Sequence, residues 1–526
     1  MAQLHSREHS VHTTDRRTMT PARSTTSTSE ETERKYTATP DQNLPDLSGI
    51  AGVTSIDVDT VDLSAQYFDT SDLQLLRSKI TLRRREGGDD AGWHSKLPAG
   101  GDSRTELHHP FAADHPTDVV PDALLGLLRG VRRNRPVALA ALLNTRRHRH
   151  RLRGTDGSLL AEVVLDDVTA IRSVDDAEPQ WREIEVELGP EADLSILDAV
   201  EELLVAQGIT RSPSPSKVHR VLGDLIPAPE HLRGTAGYLR DYLAHERQTL
   251  LMSDIAVRRD APDAVHSMRK AARRLRSALQ TYADDFAIDT ALVEELRWLG
   301  RCLSPSRDLE VQHERLADRV AEISVEQYRE ATRARIDEYF TAKSVAARSE
   351  AITTLDSDRY LALIDNLDTL IDELSSVPKK RDKQRRPKPA KLAGSIESLA
   401  KKVSKRVNRV AEAPDDAERD ERMHRARKGS KRLRYAIEVI APLHPKRAEH
   451  ALDRFDEFQD LLGEFQDSVV ARDHLLDIVS EQGHSAESSF GLGVLHRLEA
   501  EIGVQQAVHL ESAWKKAYKS ARTLWR

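Results

Sequence analysis

The residues of this chain best suited to chemistry are charged and recur with a period of two. Glu31, Glu33 and Lys35 alternate in Glu-Thr-Glu-Arg-Lys, and Arg83 and Arg85 share one parity, as do Arg147, Arg149 and Arg151. The carboxylates Glu162 and Asp166 form another such set, and Glu183, Glu185 and Glu187 a third. In a strand, residues two apart point to the same face. Were these faces to converge inside a closed sheet, the interior would hold a cationic wall and a cluster of carboxylates. Unpaired buried charge is strongly penalised. A polyanion bound together with hard divalent cations would satisfy both walls. Arginine forks match phosphate oxygens, and magnesium and manganese take oxygen ligands from carboxylates and phosphates.

A second constellation is written twice. His266, Arg269, Lys270, Arg273, Arg274 and Arg276 recur, at the same spacing, as His424, Arg427, Lys428, Lys431, Arg432 and Arg434. A helix places these positions on one broad face, so each copy is a cationic stripe with no acid inside it. The repulsion is left uncompensated within the segment, and a polyanion would relieve it. Packing against acidic helices of the same domain is the alternative. Two histidines at equivalent repeat positions could donate to phosphate, and binding as imidazolium would make affinity rise as pH falls through about 6.5.

These residues need strands first and helices later. Period-two runs at Ile80–Arg85, Leu160–Asp166 and Glu183–Leu188 predict a mainly antiparallel α+β domain over residues 30–225, interrupted by helical patches at Pro121–Val131 and Ala192–Gln207. Residues 1–29, rich in Ser, Thr, Arg and His, read as a disordered tail. Apolar spacing of three and four at Leu292–Leu303, Leu361–Leu374 and Arg454–Leu462 predicts an all-α domain over residues 231–520. A proline-punctuated basic stretch at about 378–391 would link its two repeats.

Composition narrows the classes. With 526 residues, 39% hydrophobic and 31% charged, the chain suits two or three globular domains, and no apolar run reaches the roughly 20 residues of a membrane span. A single cysteine, Cys302, excludes an intramolecular disulfide and fits a reducing, cytoplasmic setting. The net charge of -7 is an average over segments of opposite sign, so it does not bar a polyanion. Aromatics at 4% leave little material for stacking nucleic-acid bases, which argues against a nucleic-acid partner.

The first half resembles the CYTH domain of the triphosphate tunnel metalloenzyme superfamily. The ExExK signature stands as Glu31, Glu33 and Lys35, followed in order by Tyr67-Phe-Asp69-Thr70, Arg83 and Arg85, Lys96, Arg147, Asp166, the Glu183–Glu187 strand and Lys217. The second half resembles the CHAD domain, on both basic repeats and the Ser-Arg307-Asp308 and Gln466-Asp467 segments that follow them. Ser304-Pro305 departs from that pattern, where glycine is usual.

The resemblance implies an eight-stranded antiparallel β tunnel barrel with flanking helices, followed by an all-α helical bundle of two repeats. Lys35, Arg83, Arg85, Lys96, Arg147 and Lys217 would bind phosphate oxygens. Glu31, Glu33, Asp166, Glu183 and Glu185 would hold Mg2+ or Mn2+. Glu31, Glu33, Lys35 and Lys96 would form the catalytic set, with Arg149, Glu162 and Glu187 in looser correspondence. The implied function is metal-dependent hydrolysis of inorganic triphosphate or short-chain polyphosphate, with the helical stripes binding polyphosphate, in the cytoplasm or at polyphosphate granules. Two other readings keep the folds: a triphosphatase or cyclase acting on thiamine triphosphate or nucleoside triphosphates, and a non-catalytic polyphosphate-binding granule protein.

Overall fold

The computed structural model describes residues 26–111, 119–227, 234–375, 387–481, 483 and 485–525. Most of the expected tail (1–25) and most of the expected basic linker (378–386) lie outside these residues. Ser27, Thr28 and Ser29, assigned to the tail from sequence, are strand residues, and Pro389 opens a helix instead of continuing the linker. Proline suits that first turn, where its missing N–H has no intrahelical partner to lose.

The chain folds as two compact units. One comprises the described residues up to Asp69 with Lys79–Leu125 and Leu139–Val221; the other comprises Thr70–Ser78, Gly126–Ala138 and Leu222 onward. Two short segments inside the first half thus belong to the helical unit, where Arg133 pairs with Asp365 (3.1 Å) and Asp368.

The first unit is a closed barrel of eight antiparallel strands: β1 (Ser27–Ala38), β2 (Ser55–Asp69), β3 (Thr81–Glu86), β4 (Gly92–Gly100), β5 (Ser103–Pro110), β6 (Ala138–Arg153), β7 (Leu159–Arg172) and β8 (Gln180–Leu188). The ring runs β5-β4-β3-β2-β6-β7-β8-β1, and β5 pairs back onto β1; a two-residue β9 (Thr210–Arg211) adds to β1. β1 closes the ring by changing partner along its length. Residues 27–32 pair with β5 and residues 33–38 with β8.

Alternation divides the strand residues between two environments. Tyr36, Leu152, Val163, Leu165, Ile184 and Val186 face outward and are buried against Leu197, Val200 and Leu204 of the helix Ser195–Ala206. Each buried aliphatic side chain stabilises by roughly 1.5–3 kcal/mol. This apolar layer lies outside the ring, so the opposite parity, with its charges, is left to the interior.

The helical unit contains the two expected repeats. The helix Ala264–Phe286 carries the first basic stripe and Asp416–Ile440 the second, and they pack together, with Tyr282 donating to the Ala436 carbonyl at 2.7 Å. In the second repeat the next helix runs unbroken from Pro445 to Ser480, whereas in the first it splits into Ala291–Cys302 and Ser304–Arg319. Pro305, in the first turn of the new helix, explains the break: it has no N–H for the helical ladder and its ring clashes with the preceding turn. Among the described residues no helix is long and apolar enough to cross a membrane.

Candidate active site

Strand register assembles the interior. Across the β1–β8 ladder Lys35 lies opposite Glu185 and Glu33 opposite Glu187. Arg147 lies opposite Asp166, which in turn lies opposite Glu183, and Lys96 opposite Glu106. Around the ring, Lys96 of β4, Arg83 and Arg85 of β3 and Arg147 of β6 supply cations on one side. The strands β7, β8 and β1 form an acidic half. The side chains of Glu31, Glu33, Glu183 and Glu185 are 12%, 9%, 5% and 12% exposed, so they face the tunnel and not bulk solvent.

The carboxylates fall into two groups. Asp166, Glu183 and Glu185 each offer one oxygen, all within 4.8 Å of one another. Lys217, at the start of the helix Lys217–Leu222, reaches all three, at 2.9, 2.8 and 2.7 Å. Arg147 forks onto Asp166 at 2.9 and 2.7 Å and touches Glu185 at 2.8 Å. Trp181 donates to the second oxygen of Glu183 at 2.6 Å. The first oxygen of Glu183 is buried and has no aligned donor despite its proximity to Lys217. Glu31 and Glu33 form the second group: Lys96 pairs with Glu31 and lies 3.9 Å from Glu33, while Lys35 pairs with Glu33 at 2.9 Å and with Glu185.

Protonation follows from this crowding. Burial works against the charge on Glu185, but Lys217, Lys35 and Arg147 outweigh it and hold its carboxyl well below the usual range. Burial likewise opposes Glu33, yet Lys35 and Lys96 bring it down to about 2. Asp166 is lowered against its burial by Lys217 and Arg147. Glu31 moves the other way, to about 8, through burial and a hydrogen bond shared with Glu106. Glu185, Glu33 and Asp166 are therefore ionised at neutral pH and balanced by cations. Three carboxylate oxygen donors in one cluster, one of them lacking an aligned partner, fit a hard divalent ion such as magnesium or manganese.

Three participants escaped the sequence reading. Glu106 is 7% exposed and lies 3.0 Å from His94 Nδ1 and 3.6 Å from Arg83. His94 is 1% exposed, and burial, ahead of the nearby charges, brings it down to about 4. Arg104 reaches toward Glu33 at 3.9 Å. The signal was the alternation of Arg104 and Glu106 in Ser-Arg-Thr-Glu-Leu, together with the shared parity of His94 and Lys96. Of the looser candidates, Glu187 lies among Glu33, Glu162 and Glu106 and is raised by burial, whereas Arg149 is bound to Asp59 at 2.7 and 2.9 Å.

In the helical unit the two basic stripes separate into two kinds of residue. Arg274 bonds Glu246 at 3.1 Å and Glu438 at 3.0 Å, Arg434 bonds Asp456 at 2.8 Å and also Glu438, and Arg432 donates to Thr281 at 3.0 Å. Arg269 is held by Asp308 at 2.9 Å and by Ser304, and His424 by Gln466 at 2.6 Å. By contrast, Lys270, Arg273, Arg276, Arg427, Lys428 and Lys431 make no ion pair with the described residues. Residues of both copies converge: burial, then Arg427 and Arg273, push the Lys431 ammonium down to about 6. Burial and neighbouring cations lower His266 and His424 as well, so both imidazoles are neutral at pH 7.

Comparisons with known proteins agree with this division. The CYTH domain profile matches residues 29–222 and the CHAD domain profile residues 241–476. Two uncharacterized proteins of Mycobacterium tuberculosis, from strains CDC 1551 and H37Rv, are each 34% identical over 510 residues, covering 94% of this chain and 97% of the relative. Among solved structures, PptA from Streptomyces chartreusis aligns with a TM-score of 0.44 at 20% identity, over 54% of this chain and 100% of its own. The CHAD domain from the plant Ricinus communis aligns with a TM-score of 0.44 at 25% identity, over 54% and 92%.

Proposed function

We propose, from the premise that this chain belongs to the CYTH family and carries a CHAD domain, that its barrel hydrolyses inorganic triphosphate or short-chain polyphosphate with magnesium or manganese, and that its helical unit binds polyphosphate. The observation that supports this reading is the charged interior, with Lys96, Arg83, Arg85 and Arg147 set against the carboxylates of β7, β8 and β1, at a place where a barrel ordinarily buries apolar side chains.

Lys35, Arg83, Arg85, Lys96, Arg147 and Lys217 are the residues suited to phosphate oxygens, and their charges neutralise a linear triphosphate along its length. Asp166, Glu183 and Glu185 would hold the divalent ion, with Glu31 and Glu33 as the second acidic group. Bound there, the ion would supply charge neutralisation and acidification of water. Phosphoryl transfer to water depends chiefly on such positioning and neutralisation. Lys217 and Lys35 now balance the carboxylates; a triphosphate entering with the metal gives those ammonium groups new partners.

A substrate panel tests the assignment. Phosphate release from tripolyphosphate, pyrophosphate, long-chain polyphosphate, ATP and thiamine triphosphate, with magnesium or manganese and with EDTA, is expected to favour tripolyphosphate and to stop with EDTA. Equal turnover of ATP and tripolyphosphate would favour the nucleotide reading. No turnover of any compound would favour a binding protein without catalysis.

The helical unit predicts a pH dependence. Lys431 is held near pH 6 by burial and by like charge from Arg427 and Arg273. A polyanion placed among them cancels that repulsion and restores the proton, so binding is accompanied by proton uptake above pH 6. Affinity of the full chain for long-chain polyphosphate is expected to rise about three- to tenfold from pH 8 to pH 6.5. The Lys431→Met variant should flatten the profile; a flat wild-type profile would contradict the assignment.

A further inference from the structure

The turn joining β3 to β4 reads Glu86-Gly-Gly-Asp-Asp-Ala91. Gly87 and Gly88 take φ values of 81° and 74°, and a Cβ on Gly87 would lie 2.4 Å from the Asp62 carbonyl oxygen, so glycine is required there. The turn directs two carboxylates onto arginines of the cationic side. Asp90 pairs with Arg85, and Asp89 reaches Arg149 at 2.9 Å. Asp59 of β2 supplies a second carboxylate to Arg149, and also pairs with Arg151 at 2.6 Å.

The base of the turn is anchored from inside. The main-chain carbonyl of Asp90 accepts from His94 Nε2 at 2.9 Å, and the other ring nitrogen of this buried histidine contacts Glu106. A carbonyl can only accept, so Nε2 carries a hydrogen and the ring orientation is fixed. The aspartate side chains themselves are 79% and 50% exposed, while Arg149 and Arg85 are 15% and 11% exposed. The arginines belong to the interior, whereas their carboxylate partners come from its rim.

We infer that Asp89 and Asp90 are specificity-determining residues of the tunnel, occupying Arg149 and Arg85 until a linear phosphoanhydride carrying enough charge displaces them. The inference rests on the triphosphate reading of the barrel. A carboxylate on each arginine is a stand-in for a phosphate oxygen. A ligand that replaces one carboxylate with a single weakly held phosphate gains little, because one ion pair is exchanged for another. A chain of three or more phosphates, already held by Lys35, Lys96 and Arg147, delivers its end to these arginines at high effective concentration. The selected class is therefore tripolyphosphate and longer linear polyphosphates, and the disfavoured class is orthophosphate and pyrophosphate.

Calorimetric titration of the full chain with pyrophosphate and with tripolyphosphate, in magnesium, decides this. The Asp89→Asn/Asp90→Asn double variant keeps side-chain size and the Asp90 carbonyl anchor. It is expected to bind pyrophosphate about tenfold more tightly and tripolyphosphate about threefold more tightly, so that discrimination narrows. Unchanged or weakened binding of both anions would overturn the inference, since aspartates that only stabilise the turn, or hold a cation, give that result. If the double variant does not fold, each single Asp→Asn variant is read on the same ratio. Wild-type chain that binds tripolyphosphate without hydrolysing it would defeat the proposed activity, and the two Kd ratios would still decide the role of the aspartates.

Discussion

The Glu185→Gln variant is expected to lose metal-dependent tripolyphosphate hydrolysis by about a thousandfold or more. One oxygen of Glu185 faces Lys217 at 2.7 Å and Lys35, and the other faces Arg147 at 2.8 Å. The substitution keeps the shape, removes one ionised donor from the Asp166, Glu183 and Glu185 cluster, and leaves three cations short of a counter-charge. Breaking a buried pair on one side costs about 3–5 kcal/mol, so the ligand-free variant should also unfold at a lower temperature. Tripolyphosphate should then raise its melting temperature more than it raises that of the wild type. Sign and pH window agree: the Glu185 carboxyl is depressed, so its contribution to stability is complete above the ordinary carboxylate pKa and fades as pH falls below it. Asp167→Asn, on the neighbouring strand β7, provides the control. Asp167 faces outward and pairs with Arg182 at 2.6 and 2.9 Å, an exposed pair worth about 0–1 kcal/mol, and its loss should leave turnover intact. Full turnover by Glu185→Gln would remove the acidic half from the mechanism.

The second large effect lies in the helical unit. The Arg273→Glu/Arg427→Glu double variant is expected to weaken long-chain polyphosphate binding by about a hundredfold or more and to flatten its salt dependence, because two contributors to one cationic patch change sign. Tripolyphosphate turnover in the barrel should not change. Arg274→Ala should behave differently. It strands Glu246, 2% exposed, and Glu438 without their shared arginine, so it should lower thermal stability while leaving polyphosphate affinity within about threefold of wild type. The converse result, with affinity lost through Arg274 and not through Arg273, would mean that the patch has been placed on the wrong face of the helix.

Parity carried much of the site in the sequence. Once Glu31, Glu33 and Lys35 are read as one strand face, the same rule orients Arg83 with Arg85 and Glu183 with Glu185, and the closed ring brings those faces together. Parity does not give register, and register decides partners. That Lys35 lies opposite Glu185 depends on which strands are neighbours, and the two are far apart in the chain; even for the consecutive strands β6 and β7, the facing of Arg147 and Asp166 depends on register. Glu106 and His94 were missed for a related reason: each sits in a short segment with ordinary strand composition, and only the pairing of β4 with β5 joins them.

The basic repeats show the same limit on helices. Spacing defined the stripe, but a helix face does not reveal what packs against it. The acids that claim Arg274 and Arg434 lie outside the two motifs, at Glu246, Glu438 and Asp456, so the segment without acids is partly neutralised after all. Packing against acidic helices therefore describes part of each stripe, and the converging remainder around Arg273, Arg427 and Lys431 is left for a ligand. The histidines moved in the opposite sense. Both are neutral at pH 7, and the titrating group near pH 6 is a lysine that sequence could not distinguish from its neighbours.

A phosphorus NMR time course of tripolyphosphate with the full chain and magnesium tests directly whether the barrel is a hydrolase. The end and middle phosphate signals are expected to give way to orthophosphate and pyrophosphate, EDTA to stop the change, and Glu185→Gln not to support it. A tripolyphosphate spectrum unaltered by the wild-type chain with either magnesium or manganese would contradict that activity.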